Sequence, residues 1–236
     1  MSDDMNLQEK VDLLSAREFL GVPASNFYTG GSEHFDFLIA AGLRPHSHLV
    51  DIGCGVLRVG YWLINYLDPG AYFGIEPHQG RLAIGKETIV GPDALALKRP
   101  RFDTNAAFDT SVFGARFDYF LAYSIWSHAS KRQILQMIQS FVRDAKPDAL
   151  FLTSYLPAAD ANSDYQGDAW FGTSHESGTP GCIHHAFPWI ERVCSEYGLS
   201  VSQLGTGKTY PQDWLAISQE GAAVDARLQT AKAHLA

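Results

Sequence analysis

The stretch Leu49-Val50-Asp51-Ile52-Gly53-Cys54-Gly55-Val56-Leu57-Arg58-Val59-Gly60 runs from an apolar segment through two glycines into a helical pattern. Glycines at 53 and 55 let the backbone bend sharply and leave room for a ligand against the main chain. A helix starting near Val56 would present unpaired N–H groups and a partial positive charge, which suits a phosphate or a carboxylate. Glu76 ends the next apolar run, Tyr72–Glu76. A carboxylate there can accept both hydrogen bonds of a ribose diol, as the acidic residue of a dinucleotide fold does. These residues describe a nucleoside site for which two ligands compete. The dinucleotide fingerprint needs Gly or Ala at position 58, where this chain has Arg58. A large cation there opposes tight helix–strand packing, which counts against NAD and an oxidoreductase.

Asp51-Ile52-Gly53-Cys54-Gly55 resembles the first motif of the class I S-adenosylmethionine-dependent methyltransferases, and Tyr72-Phe73-Gly74-Ile75-Glu76-Pro77 resembles their second. Phe117–Ser124 with Ile125-Trp126-Ser127-His128 is similar to the fourth-strand motif of small-molecule members. The resemblance covers about residues 33–218, with three motifs in order. It implies S-adenosyl-L-methionine as cofactor. Asp51, Gly53 and Gly55, with Cys54 between them, would lie along its methionine part. Glu76 would hold the ribose hydroxyls and Pro77 would pack near the adenine. The turn Asn105-Ala106-Ala107-Phe108 would close on the adenine, although it lacks the usual acidic residue. Tyr123 and Ser124 would face the methionine end. Arg58 would pair with the cofactor's carboxylate or with Glu76, or be a first-turn surface cation. Tyr28-Thr29-Gly30-Gly31 would be a lid over the cofactor or a connection between two helices.

Methyl transfer from a sulfonium is an in-line displacement, so positioning matters most and can supply roughly 7–11 kcal/mol. An alcohol acceptor gains a further 10²–10⁴-fold, roughly, from a nearby base. His128 is the first candidate, because it follows the fourth strand, where ligands collect in doubly wound sheets. The alternative is that it caps the next helix or holds a backbone group. His184 and His185 are rivals, but adjacent side chains point apart, so at most one serves. Aromatic faces that could stabilise the sulfonium are Phe27, Tyr28, Tyr123 and Trp126. His175, Cys182, His184 and His185 offer zinc-type donors without zinc spacing, so no metal is expected.

The elements that must position these groups alternate between strand and helix. Strands are expected at His48–Ile52, Tyr72–Glu76, Asp118–Tyr123 and Ala149–Tyr155, with a weaker one near Arg101–Asn105. Helices are expected at 7–20, at about Glu33–Ala41, after position 130 and at Pro188–Tyr197. Ser130 and Gln133 form a capping-box pattern. Ile134, Leu135, Ile138, Phe141 and Val142 make a buried stripe that Pro147 ends. Leu199–Leu204 and Trp214–Ser218 read as an antiparallel edge hairpin. The fold class is α/β, a doubly wound Rossmann-like sheet, mostly parallel. The organisation is an N-terminal helical cap (1–45), a cofactor-binding core (46–220) and a C-terminal helix (221–236). The long segment Pro157–Ala186 is rich in Gly, Ser and Asp but also in aromatics, which points to a functional loop.

A formal charge of −8 with 46% hydrophobic and 19% charged residues fits a packed globule and disfavours nucleic acid as a partner. No apolar run approaches a membrane span, and the acidic N-terminus resembles no signal, so the cytoplasm is expected. The three cysteines, Cys54, Cys182 and Cys194, read as reduced thiols. The expected reaction is methylation of a small metabolite or sugar-like acceptor, at oxygen in preference to nitrogen. A non-catalytic S-adenosylmethionine-binding protein remains the other reading. The segment Ala222–Leu235 reads as a peripheral amphipathic helix that could serve a homodimer.

Overall fold

The four strongest apolar runs form the middle of a seven-stranded sheet in a computed structural model. The structure describes residues 5–16, 23–173, 180–219 and 222–236, the side chains of the last segment from Ala226 onward. Among them the strands are β1 (Leu49–Ile52), β2 (Tyr72–Ile75), β3 (Arg101–Asp103), β4 (Phe117–Ala122), β5 (Ala145–Tyr155), β6 (Ser200–Thr206) and β7 (Asp213–Ser218). Their order is β3-β2-β1-β4-β5-β7-β6. Strands β1 to β5 pair in parallel, and β7 lies antiparallel between β5 and β6. The chain therefore builds outward from β1 in one direction and from β4 in the other. In such a sheet the ligand crevice opens at the carboxyl ends of those two strands.

The helices are α1 (Leu7–Ser15), α2 (Phe27–Ala40), α3 (Gly60–Tyr66), α4 (Gln79–Ile84), α5 (Pro92–Lys98), α6 (Lys131–Asp144), α7 (Phe187–Glu196) and α8 (Ala222–Leu235). Alternate strand residues point to opposite faces. Val50, Ile52, Phe120 and Phe151 face Ile134, Ile138 and Phe141 of α6 and Ile190 and Val193 of α7. Leu49, Leu121, Leu150 and Leu152 face Phe37 and Leu38 of α2, Leu63 and Ile64 of α3, and Leu228 and Ala231 of α8. Each such side chain, fully buried, contributes about 1.5–3 kcal/mol. The capping box is present: Ser130 Oγ accepts from the Gln133 N–H, and Gln133 Oε1 accepts from the Ser130 N–H. Among the described residues no helix is long and apolar enough to cross a membrane.

Several expectations need correction. Helix α2 begins at Phe27, so Tyr28–Gly31 is its first turn and not a connecting lid. The glycine pair, which reads as a breaker, is there for close approach. A Cβ on Gly30 would sit 2.7 Å from Arg58 Nη1, and one on Gly31 would sit 2.8 Å from the main-chain oxygen of Arg58. Helix α3 begins at Gly60, not near Val56, because residues 55–59 wind through turns with Leu57 at φ 61°. Helix α1 ends at Ser15; Phe19 and Leu20 lie outside the described residues. Helix α6 stops at Asp144 and the chain passes directly into β5, which contains Pro147; Val142 of the expected stripe is exposed.

Candidate active site

A cavity of about 700 Å³ opens where the carboxyl ends of β1, β2 and β4 meet the long loop before α7. The β1 turn forms its floor. The N–H groups of Gly53 and Cys54 both donate to the Ile75 oxygen, at 2.7 and 3.1 Å. The Gly55 N–H donates to Glu76 Oε2 at 2.9 Å, and the His78 N–H donates to Glu76 Oε1 at 2.8 Å. These amides therefore fix the turn and the carboxylate, where the sequence pointed to free helix-terminal donors. Gly53 and Gly55 both have positive φ. That left-handed backbone favours glycine at both positions, and a Cβ on Gly53 would also displace the Ile125 side chain. Asp51 Oδ2 accepts from the Tyr72 hydroxyl at 2.8 Å. Burial pushes the Asp51 carboxyl up to about 7, against the Tyr72 hydrogen bond, and Glu76 adds to the rise.

The wall beyond β4 is polar and aromatic. Ser124 has φ 57°; its N–H donates to Ser154 Oγ at 2.8 Å, and its Oγ accepts from Gln212 Nε2 at 2.9 Å. Gln212 Oε1 accepts from Ser154 Oγ, closing the triangle. The Arg58 guanidinium lies 5.5 Å from the ring centres of both Tyr123 and Tyr210. Tyr123 in turn packs on His34 and Trp214. Burial raises the Tyr123 hydroxyl's pKa and lowers those of Arg58 and His34.

His128 faces the cavity from the end of β4. Its Nδ1 is 2.9 Å from the Phe171 oxygen, and its ring stacks on Trp170 at 5.7 Å. Two main-chain bonds tie the loop to this strand end: Phe171 N–H to the His128 oxygen and Ile183 N–H to the Ser127 oxygen. Lys131 and Asp164 form an ion pair at 2.6 Å, and Asp164 Oδ1 accepts from the Ala186 N–H. The described part of the loop is thus fastened to the sheet.

The cavity brings together Asp51, Gly53, Cys54, Gly55, Arg58, Glu76, Pro77, Phe108, Tyr123, Ser124 and His128 from the sequence reading. It does not bring Tyr28, which is 44% exposed and packs edge-on to Trp62. Asn105 turns inward on its own loop, donating to Asp103 Oδ1 and accepting from the Asp109 N–H; Ala106 is exposed. Neither lines the cavity. His184 is exposed and outside it, and His185 is buried with Nε2 3.0 Å from the Ala129 oxygen, which is a structural bond. Phe27 and Trp126 belong to the core. His175 lies outside the described residues, and among those described no group of three or more His, Cys, Asp or Glu is placed to hold a metal. Unforeseen lining residues include Arg81, Ile125, Trp170, Tyr210 and Gln212. The aromatic content of the long loop was the signal for Trp170; Tyr210 and Gln212 gave none.

No protein-family model matches the chain. Solved structures do resemble it. A magnesium protoporphyrin IX methyltransferase from Synechocystis PCC 6803 with bound S-adenosylmethionine is 14% identical, covering 93% of this chain and 87% of that one, with a TM-score of 0.57. An S-adenosylmethionine-dependent methyltransferase from Clostridium acetobutylicum is 10% identical, covering 89% and 96%, at 0.58. A glycopeptide N-methyltransferase complexed with S-adenosylmethionine is 13% identical, covering 81% and 94%, at 0.59. The sheet order, the β1 turn beneath an acidic β2 end and these likenesses agree: the chain has the fold of the class I S-adenosylmethionine-dependent methyltransferases.

Proposed function

We propose that this protein is an S-adenosylmethionine-dependent methyltransferase acting on a small-molecule acceptor, with oxygen as the atom methylated. One observation carries the reading. Glu76 is held by two main-chain N–H groups at the end of β2, directly over the glycine turn and on the wall of a 700 Å³ cavity. The residues fit such a cofactor. Glu76 offers a ribose diol its acceptor, Pro77 and Phe108 offer apolar flanks for a base, and a Cβ on Gly55 would meet nothing within 4 Å. Asp51, buried on the cavity floor, offers an ammonium a partner. Position 58 holds a guanidinium between two tyrosines, where a dinucleotide fingerprint needs a small residue.

When bound, the cofactor supplies an electrophilic methyl group on a sulfonium. The chain's own contribution is orientation and one proton acceptor. His128 donates Nδ1–H to a carbonyl, which leaves Nε2 free to take a hydroxyl proton from the acceptor. A base in the cavity suits a hydroxyl, which must lose its proton as its oxygen bonds to the methyl carbon. Some solved structures of this fold are named for porphyrin and glycopeptide methylation, which supports a small organic acceptor.

Calorimetry with S-adenosylmethionine and S-adenosylhomocysteine tests the cofactor, and transfer of a labelled methyl group to a metabolite panel tests the reaction. Heat with both compounds is expected. The absence of heat with either would sink the proposal.

A further inference from the structure

We infer that Gln212 is a positioning residue: it turns the Ser124 hydroxyl hydrogen into the cavity, toward the carboxylate of the cofactor's amino-acid end. This rests on the methyltransferase reading and adds a residue from outside the β1, β2 and β4 motifs. Strand β7 pairs antiparallel with β5, with Asp213 opposite Tyr155 and Trp214 opposite Ser154. Gln212, the residue before β7, is thereby brought to the carboxyl end of β5, where it lines the cavity beside Ser124.

The direction of the hydroxyl follows from where each hydrogen can go. Ser154 is fully buried, and its Oγ accepts from the Ser124 N–H at 2.8 Å. Its own hydrogen needs an acceptor, because a buried donor left unpaired is costly, and the Gln212 side chain at 2.9 Å supplies it. The oxygen of the amide therefore faces Ser154, and its nitrogen donates to Ser124 Oγ at 2.9 Å. Ser127 is fully buried too. Among the described residues its hydroxyl has one partner, Ser124 Oγ at 3.4 Å, so that hydrogen also points at Ser124. A hydroxyl oxygen has two lone pairs, and these two donors occupy both. The Ser124 hydrogen is left for the cavity, which Ser124 lines. With the amide reversed, Ser124 would donate to Gln212 and the Ser154 hydrogen would be stranded. Gln212 thus decides whether a ligand meets a donor or an acceptor at this strand end. A carboxylate only accepts, so a donor matches it. Asp51, on the floor of the same cavity, suits the ammonium of the same amino-acid end.

The test is a double-mutant cycle on the full-length chain, read by calorimetry with two probes. S-adenosylhomocysteine carries the amino-acid end; 5′-methylthioadenosine lacks it. Gln212→Met keeps the length of the side chain without either polar end. Gln212→Met and Ser124→Ala should each weaken S-adenosylhomocysteine by about tenfold, and the double variant should be no weaker than either alone. All three should bind 5′-methylthioadenosine within about threefold of the parent. Gln212→Glu can still bond both serines, yet it draws the Ser124 hydrogen away from the cavity, so it should weaken S-adenosylhomocysteine at least as much as Gln212→Met. Affinity equal to the parent's in Gln212→Met, Gln212→Glu or Ser124→Ala overturns the inference. So do losses that multiply in the double variant, which make the two residues independent. An equal loss with 5′-methylthioadenosine overturns it as well, because the whole wall has then collapsed. If the parent binds neither probe, the methyltransferase reading itself fails, a distinct outcome.

Discussion

The Nδ1 of His128 lies 2.9 Å from the main-chain oxygen of Phe171. A carbonyl oxygen only accepts, so Nδ1 carries the proton and Nε2 keeps its lone pair. The loop that supplies this carbonyl also supplies Trp170, stacked on the imidazole, and a main-chain bond back to the His128 oxygen. The tautomer and the ring plane are therefore set by a segment remote in sequence. Replacing His128 by Ala should lower turnover by about 10²–10⁴-fold with S-adenosylhomocysteine affinity retained. Turnover close to the parent's in a folded variant would take the base role from His128.

The same histidine should set the pH dependence. Burial lowers its pKa below the ordinary 6.5, with the Phe171 bond opposing in part. A base works when neutral, and a lowered pKa keeps it neutral to more acid pH. With cofactor saturating, the pH dependence of turnover should therefore rise on a limb below 6.5 and be flat above it. A limb centred above 7 would contradict the assignment.

Glu76 combines two tasks, and removing it should expose both. In Glu76→Ala the Gly55 and His78 amides lose a charged acceptor, and a ribose diol loses its partner. Hydrogen bonds to a charged group contribute about 1.5–3 kcal/mol each, so S-adenosylhomocysteine affinity should fall by at least about tenfold. Calorimetry measures it directly; an affinity equal to the parent's would place the ribose elsewhere.

The half of the cavity built by the ends of β1 and β2 was legible because it is local. Asp51, Gly53 and Gly55 lie within five residues, and Glu76 ends the next strand, so short-range pattern and strand alternation locate them. His128 was legible for the same reason, six residues past the end of β4. The other wall was not. Tyr210 and Gln212 come from the β6–β7 loop, and only the antiparallel pairing of β7 with β5 carries them to Ser124. Position 105 misled because Asn105 satisfies its own loop, and the lining from that turn comes from Phe108, at φ 53°. The glycines at 30 and 31 misled because sequence shows their low helix propensity but not the arginine they must admit.

Gly172 has φ 93°, and a Cβ there would lie 2.3 Å from His128 Nδ1 and 2.5 Å from the Gly181 oxygen. Alanine cannot be accommodated without moving the imidazole or the loop. Backbone strain of this kind costs about 1–3 kcal/mol. Gly172→Ala should lower the unfolding midpoint and remove the Nδ1–H signature of His128 in nitrogen-15 spectra. An unchanged signature would show that the loop yields and the ring does not.

Asp51 links the site to stability, with a sign that can be worked out. Its folded pKa, about 7, lies above the ordinary 3.8, chiefly through burial. The native state therefore holds the proton more tightly than the unfolded chain, and stability falls as pH rises from about 4 through about 7. A rise of about three units bounds the loss at about 4 kcal/mol above neutrality. Asp51→Asn keeps an oxygen for the Tyr72 hydroxyl and removes the charge. At pH 8 the variant should melt several degrees above the parent, at roughly 2–4 °C per kcal/mol, and at pH 4 the two should nearly coincide. Its affinity for S-adenosylhomocysteine should fall, because the ligand's ammonium loses a carboxylate. A variant less stable than the parent at pH 8 would mean that the ionised carboxylate is already compensated, by Tyr72 and Arg58 together, before any ligand arrives.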